Sequence, residues 1–369
     1  MISRRQILGG LAATSLAGCA TGASRPGFPT LAGRMSLPPA PLLDPDTVLT
    51  RIGIGSCFNQ NRSGALLETA LRSQPQLFLF MGDNVYGDTR SPDLDELVAA
   101  YAAALARPDY RRFRASLPIA AVWDDHDFGL NDAGATYAYK QATRPLFFDF
   151  WGIPENHPRR RTAGIYDAFI TGPEGRRVQT ILLDTRSFRD DWPATDDFGA
   201  AGRERYIENP DPALTILGAD QWQWLEDQLR QPADVRIIVT SYQLVADGHG
   251  WECWRLFPTE RQRFYALLAK TRASGVVLVS GDRHRAGIYR ETRGLPYPLY
   301  ELTSSAINMG SRGQHQEEAG PNRLGPSFSA DNVGLVTLDW ETARIGLRIL
   351  DAQDRTVLSH DIDIAALRA

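Results

Sequence analysis

Cysteine is scarce in this chain. Three among 369 residues are too few for a disulfide framework to replace a hydrophobic core. Positive charge is not in excess either. The 40 Lys and Arg are outnumbered by 44 Asp and Glu, for a formal net charge of -4, and no basic stripe interrupts the pattern. That removes the electrostatic footprint of a nucleic-acid-binding protein. Aromatic residues are spread along the chain rather than interleaved with basic ones. No repeat stands out at solenoid or propeller periods. A chain that is 43% hydrophobic and 23% charged is not a disordered one, and its length suffices for a sizeable core.

The first nineteen positions, "MISRRQILGGLAATSLAGC", place Arg4 and Arg5 before a short, weakly apolar stretch. That stretch is too short to span a bilayer. The paired arginines read as a twin-arginine export signal. Leu16-Ala17-Gly18-Cys19 resembles a bacterial lipoprotein processing site, with Cys19 as the lipidated residue. A plain cleaved signal is the simpler alternative. Residues 20–47, rich in Pro, Gly, Ser and Ala, read as a linker from the anchor to a single domain over 48–369. The expected location is periplasmic, or on a membrane facing the periplasm or cell surface, with the lipid on Cys19 as the only membrane contact.

From residue 48 onward, strand and helix patterns alternate. "RIGIGSCF", "QLFLFMGD", "LPIAAVWDDHD", "VQTILLD", "VRIIVTSYQ" and "VVLVSGD" are apolar runs that end in Asp, Cys or polar groups. Helical spacing marks 64–73, 93–106, 218–231 and 259–275. The tail over 332–364 alternates as antiparallel strands do. An α/β sheet places its site at the carboxyl ends of its strands. The expectation is two facing sheets with helices outside.

"VWDDHDFGLND" (122–132) poses the sharpest question. Asp124, Asp125 and Asp127 crowd His126 at the end of an apolar run. Carboxylates so close repel, and taking them out of water is unfavourable. A solvated turn would explain an isolated case. Other strand ends add Cys57, Asp83, Tyr86, Asp282 and His284. A carboxylate can bridge two ions about 3.5–4 Å apart. Asp125 and Asp282 are hard oxygen donors and His284 offers an imidazole. A Cys57 thiolate and a Tyr86 phenolate suit a highly charged ion such as ferric iron.

Taken together, "GSC" at 55–57, "GDNVY" at 82–86, "DDHD" at 124–127 and "SGDRH" at 280–284 resemble the alkaline phosphatase D family of metallophosphoesterases. The resemblance spans about residues 48–350. It implies a four-layer αββα sandwich and a hydrolase acting on phosphate esters. Ferric iron (Fe3+) and calcium (Ca2+) are the implied cofactors. Carried over, Cys57, Asp83, Tyr86, Asp125, Asp282 and His284 are the implied metal ligands, with His126 outside the metals facing the leaving group. Asp125 stands where the superfamily has Asn, so the division of ligands between two ions stays open. No histidine occurs near "VTSYQ", where the superfamily has one; Ser241 or Gln243 is the available substitute.

The remaining candidates have two readings each. Cys57 is a ligand or half of a disulfide with Cys253. Tyr86 is a ligand or a packed core residue. Asn84 contacts substrate or merely makes the turn. Arg186, with Arg189, holds phosphate as a forked donor or forms a salt bridge. Asp127 orients His126 or caps the next turn, and Asp124 is expected to be ordinary. Asn131 supports the metal ligands from behind or caps a helix or turn. His249 with Trp251 and Trp254 forms a cleft wall or a packed loop. His157, His315 and His360 read as structural or solvent-facing. The rival functions are a phosphodiesterase or phospholipase with the same site, and a non-catalytic metal-binding surface lipoprotein.

Overall fold

The computed structural model describes residues 40–311 and 320–369. The export signal, Cys19 and His315 therefore lie outside the described residues. Twelve strands are described: β1 Arg51–Gly55, β2 Leu77–Met81, β3 Ile119–Val122, β4 Asp167–Thr171, β5 Val178–Leu182, β6 Val235–Thr240, β7 Val276–Ser280, β8 Ala286–Glu291, β9 Leu299–Ser304, β10 Asn332–Asp339, β11 Arg344–Asp351 and β12 Thr356–Asp363. The helices are α1 Ala65–Arg72, α2 Asp95–Ala106, α3 Pro108–Ser116, α4 Asp125–Phe128, α5 Lys140–Trp151, α6 Gly218–Leu229 and α7 Pro258–Thr271.

The strands form two six-stranded mixed sheets, β12-β11-β10-β1-β2-β3 and β4-β5-β6-β7-β9-β8. Within the first, β1, β2 and β3 run parallel; within the second, β5, β6, β7 and β9 do. β2 packs against β6 and β10 against β9, so the sheets face each other. Helices cover both outer faces, giving the four-layer sandwich. This explains the unbroken apolar runs. All five residues of β2 and of β7 are buried, because both sides of each strand are covered. Pro108 and Pro258 open α3 and α7, where a missing N–H removes no helix bond.

The structure adds elements the pattern did not predict. "VVLVSGDRHRAGIYR" is two strands, with Gly281–Arg285 turning between β7 and β8. α3 is hidden by the three arginines and one aspartate in PDYRRFRAS, and α5 by the internal Pro145. β9 carries the fully buried Glu301 in its middle, which breaks the apolar signal. That carboxylate accepts the N–H groups of Leu244, Val245 and Ala246, and so anchors the loop after β6. The expected linker enters the described residues at Ala40, and the Pro45 carbonyl already accepts the Gly172 N–H. No helix among the described residues is long and apolar enough to cross a membrane.

Candidate metal centre

The carboxyl ends of β1, β2, β3 and β7 meet at one edge of the sandwich. Leaving β1, Cys57 turns at φ 56°; leaving β2, Asp83 turns at φ 50°. Leaving β7, Asp282 and His284 have φ 68° and 50°. Four side chains of the implied ligand set thus sit on left-handed backbone, which non-glycine residues seldom adopt and functional sites tolerate. Two glycines permit the approach. Gly82 has φ 101°, and a Cβ there would stand 2.5 Å from that of Asp124; one on Gly281 would meet Ser56 Oγ at 2.4 Å.

The side chains converge on Asp83. Its Oδ2 accepts from Cys57 Sγ at 3.4 Å and from the Tyr86 hydroxyl at 3.1 Å. Tyr86 also bonds His284 Nε2 at 3.0 Å, and Cys57 lies 3.1 Å from Ser305 Oγ. Donor atoms of Cys57, Asp83 and His284 lie within 4.8 Å of one another, as do those of Asp83, Asp125 and His126, and those of Asp124, Asp125 and Asp282. All six implied ligands are gathered at this edge, and Asp83 and Asp125 are shared between groups. Cys57 and Cys253 are both free thiols, so the disulfide alternative is absent.

The carboxylates of this cluster carry more buried negative charge than Arg186 and His126 alone offset. Asp83 Oδ1, Asp124 Oδ2 and Asp125 Oδ1 are buried and accept no hydrogen bond. Burial, then the neighbouring Cys57 and Asp125, push Asp83 well above the carboxylate range; burial, then Asp124 and Glu252, do the same to Asp282. Burial raises the Cys57 thiol to about 12 and lowers His284 to about 4. Thiol, phenol, imidazole and orphaned carboxylate oxygens facing one another are a donor set that metal cations fit.

His126 stands beside this set. Its Nδ1 lies 2.9 and 3.0 Å from the two oxygens of Asp88, and its ring packs 4.3 Å from that of Tyr86. Burial would lower its pKa, but the charges of Asp125, Asp83 and Asp88 prevail and raise it to about 11. A cavity of about 140 Å3 opens over the cluster, walled by Arg205, Trp251 and Arg283. The guanidinium groups of Arg205 and Arg283 lie 5.9 and 5.4 Å from the centre of a Trp251 ring.

A family model for PhoD-like phosphatases matches residues 53–348. The chain belongs to that family. Among solved structures it is similar to that of PhoD, with a TM-score of 0.66 and 15% identity over 89% of this chain and 73% of that one. It is also similar to GAP50, the anchor in the inner membrane complex of Plasmodium, with a TM-score of 0.53 and 13% identity over 86% and 89% of the two chains. At such identities both likenesses concern the fold. No curated protein matches the chain.

In this PhoD-like phosphatase fold several candidates take places other than those expected. Arg186 is not a free fork for phosphate. It is fully buried, its Nε donates to Asp124 Oδ1 at 2.5 Å, and its two terminal nitrogens grip Glu252 at 2.7 and 2.9 Å. Arg189 is enclosed too, bonding the carbonyls of Asp132 and Asp190 and packing on Trp192. Asn84 is fully buried and is not among the cavity-lining residues; its amide N–H groups donate to Val122 O and Asp127, and its Oδ1 is left without a hydrogen bond. Asp124 is not ordinary, being buried between Arg186 and Ser241. Asp127 is a cap: it accepts the N–H groups of Asp83 and Asp124 and completes a capping box with Asp124. Ser241 reaches Asp124 at 2.7 Å, whereas Gln243 bonds Thr303 and His249. Asn131 is exposed at the cavity rim, His249 is buried in its loop, and Trp254 is buried on Thr240. His360 stacks on Tyr300.

Asp88, Glu252 and Asp132 went unrecognised. Each had a signal: a second Gly-Asp after "GDNVY", and acids in the "GWEC" and "GLND" loops. The Arg186 network gives a direct prediction. Arg186→Met leaves Asp124 and Glu252 buried without their cation and should lower unfolding free energy by about 3–5 kcal/mol. Arg186→Lys, lacking the fork, should recover only part of it. Urea unfolding measures both; an unchanged midpoint in the Met variant would show that the network contributes no stability.

Proposed function

We propose that this protein is a metal-dependent phosphoric ester hydrolase, exported and anchored through Cys19. The observation that carries the reading is the set of buried, unbonded oxygens on Asp83, Asp124 and Asp125 beside Cys57, Tyr86, Asp282 and His284. Cys57, Asp83, Tyr86, Asp125, Asp282 and His284 would hold the metals, ferric iron on the thiolate and phenolate side and calcium among carboxylates. Bound metals supply charge neutralisation for phosphoryl oxygens and an activated water at neutral pH. The chain's own residues do the rest. Asp88 holds this cavity-lining His126 through Nδ1, which leaves Nε2 as the nitrogen that would give a proton to the leaving alkoxide. Glu252 and Arg186 keep Asp124 in place behind the ligands.

A phosphodiester substrate is the second reading, favoured by the Trp251 wall with Arg205 and Arg283 beside the cluster. That wall offers a surface for a second ester group. Comparing kcat/KM for a monoester and a diester of the same alcohol decides it. In this reading the purified protein contains iron, absorbs visible light through its phenolate or thiolate, and loses activity to a calcium chelator. A colourless, fully active protein holding only zinc would overturn the iron assignment. Full activity after complete metal removal would overturn the function itself.

A further inference from the structure

A second cavity, of about 520 Å3, opens on the flank of the sandwich between β3 and β4, which are edge strands of the two sheets. Small-molecule sites span about 300–1,000 Å3. Its walls are apolar: Leu77, Ile119, Ala120, Trp151, Phe169 and Leu182. Leu42, 95% exposed, stands at its rim. One cation lies in this apolar setting. Arg159 is only 3% exposed and lies against the Phe147 ring. Its Nε and Nη2 donate to the carbonyls of Ile165 and Ala121, and among the described residues it has no ion-pair partner. Nη1 is left without a protein partner on a residue that lines the cavity. Asp167 and Asp184 act on this buried guanidinium without bonding it, so an anion that bonds Nη1 directly would stabilise it further. Burial lowers its pKa to about 10, against the pull of Asp167 and Asp184.

The wall supplies a second donor. His157 Nδ1 accepts the Arg159 N–H at 3.2 Å, so the neutral ring carries its proton on Nε2. Asp167 also lines the cavity, with Oδ1 held by the Ala168 N–H. We propose that this flank cavity binds a single-chain monoanionic amphiphile, a long-chain carboxylate, with its head on Arg159 Nη1 and the His157 Nε2–H and its alkyl tail along the aliphatic wall. One free guanidinium nitrogen beside an aspartate suits a single negative charge and disfavours a phosphate dianion. The apolar remainder disfavours a polar metabolite. This site is separate from the metal centre and does not depend on the reaction proposed for it.

Calorimetric titration of the full chain with laurate and with dodecanol tests the proposal. Laurate should bind one to one, at least about tenfold more tightly than the alcohol of equal chain length, since a charge-assisted bond distinguishes them. Arg159→Gln should erase that preference. Ala168→Phe, which adds bulk at a position lining the cavity, should abolish binding of both ligands and leave phosphate ester hydrolysis unchanged. If the Gln variant does not fold, the laurate to dodecanol ratio and the Phe variant still decide. Equal affinities for the two ligands, or laurate binding that survives Ala168→Phe, overturns the site. Absence of laurate binding also overturns it.

Discussion

Asp83→Asn is expected to lower kcat/KM by about 10³-fold or more and, in metal-free protein at neutral pH, to raise stability. The two effects share one cause. Asp83 accepts from Cys57 and Tyr86 through one oxygen and leaves the other buried without a bond. It belongs to two of the donor groups, so its loss disrupts both. Charge stabilisation by bound metals is worth several kcal/mol, and about 1.4 kcal/mol is a factor of ten. Without metals the same carboxylate is a liability. Burial and its neighbours raise its folded pKa well above 3.8. A raised carboxyl destabilises the fold progressively as pH climbs above the unfolded value, and the effect vanishes below it. The Asn variant should therefore gain stability at pH 7 and none near pH 3, by thermal unfolding of metal-free protein. Added metal should stabilise the parent and not the variant. A variant that still gains stability from metal would remove Asp83 from the ligand set.

His126→Ala should lose about 10²–10⁴-fold in kcat/KM on an alkyl phosphate, the usual contribution of general acid catalysis. On p-nitrophenyl phosphate it should lose far less, because that leaving group departs without a proton. Asp88→Asn should reproduce the same selectivity at a smaller scale, about 10–100-fold on the alkyl substrate, since Asp88 only orients the ring. Metal content should not change in either variant. Equal losses on both substrates with metal retained would exclude proton donation by His126. Loss of metal would show that the ring supports the cluster, whose Asp83 and Asp125 donor atoms lie within 4.8 Å of its own.

Much of this centre was legible in local sequence. A strand buried on both faces must be continuously apolar, as in Leu77–Met81 and Val276–Ser280, and a Gly-Asp at its end marks where the chain turns out of the sheet. Several such endings in one α/β chain imply convergence, because parallel strands bring their carboxyl ends to one edge. The elements that escaped, such as β9 and α5, carry a buried Glu301 or an internal Pro145 that only their neighbours accommodate.

The sequence alone determined the apolar strands that lead into the centre and the thiol, phenol, imidazole and carboxylates that follow them. Tertiary structure decided what each polar group would face. Arg186 reads identically as a phosphate clamp or as half of an ion pair until Glu252, 66 positions away, is folded against it. Asp124 reads as a solvated turn until Arg186 and Ser241, 62 and 117 positions away, enclose it. The physical reason is that a charge's role depends on its desolvation and its nearest opposite charge, and both belong to the space around a residue rather than to its neighbours in the chain.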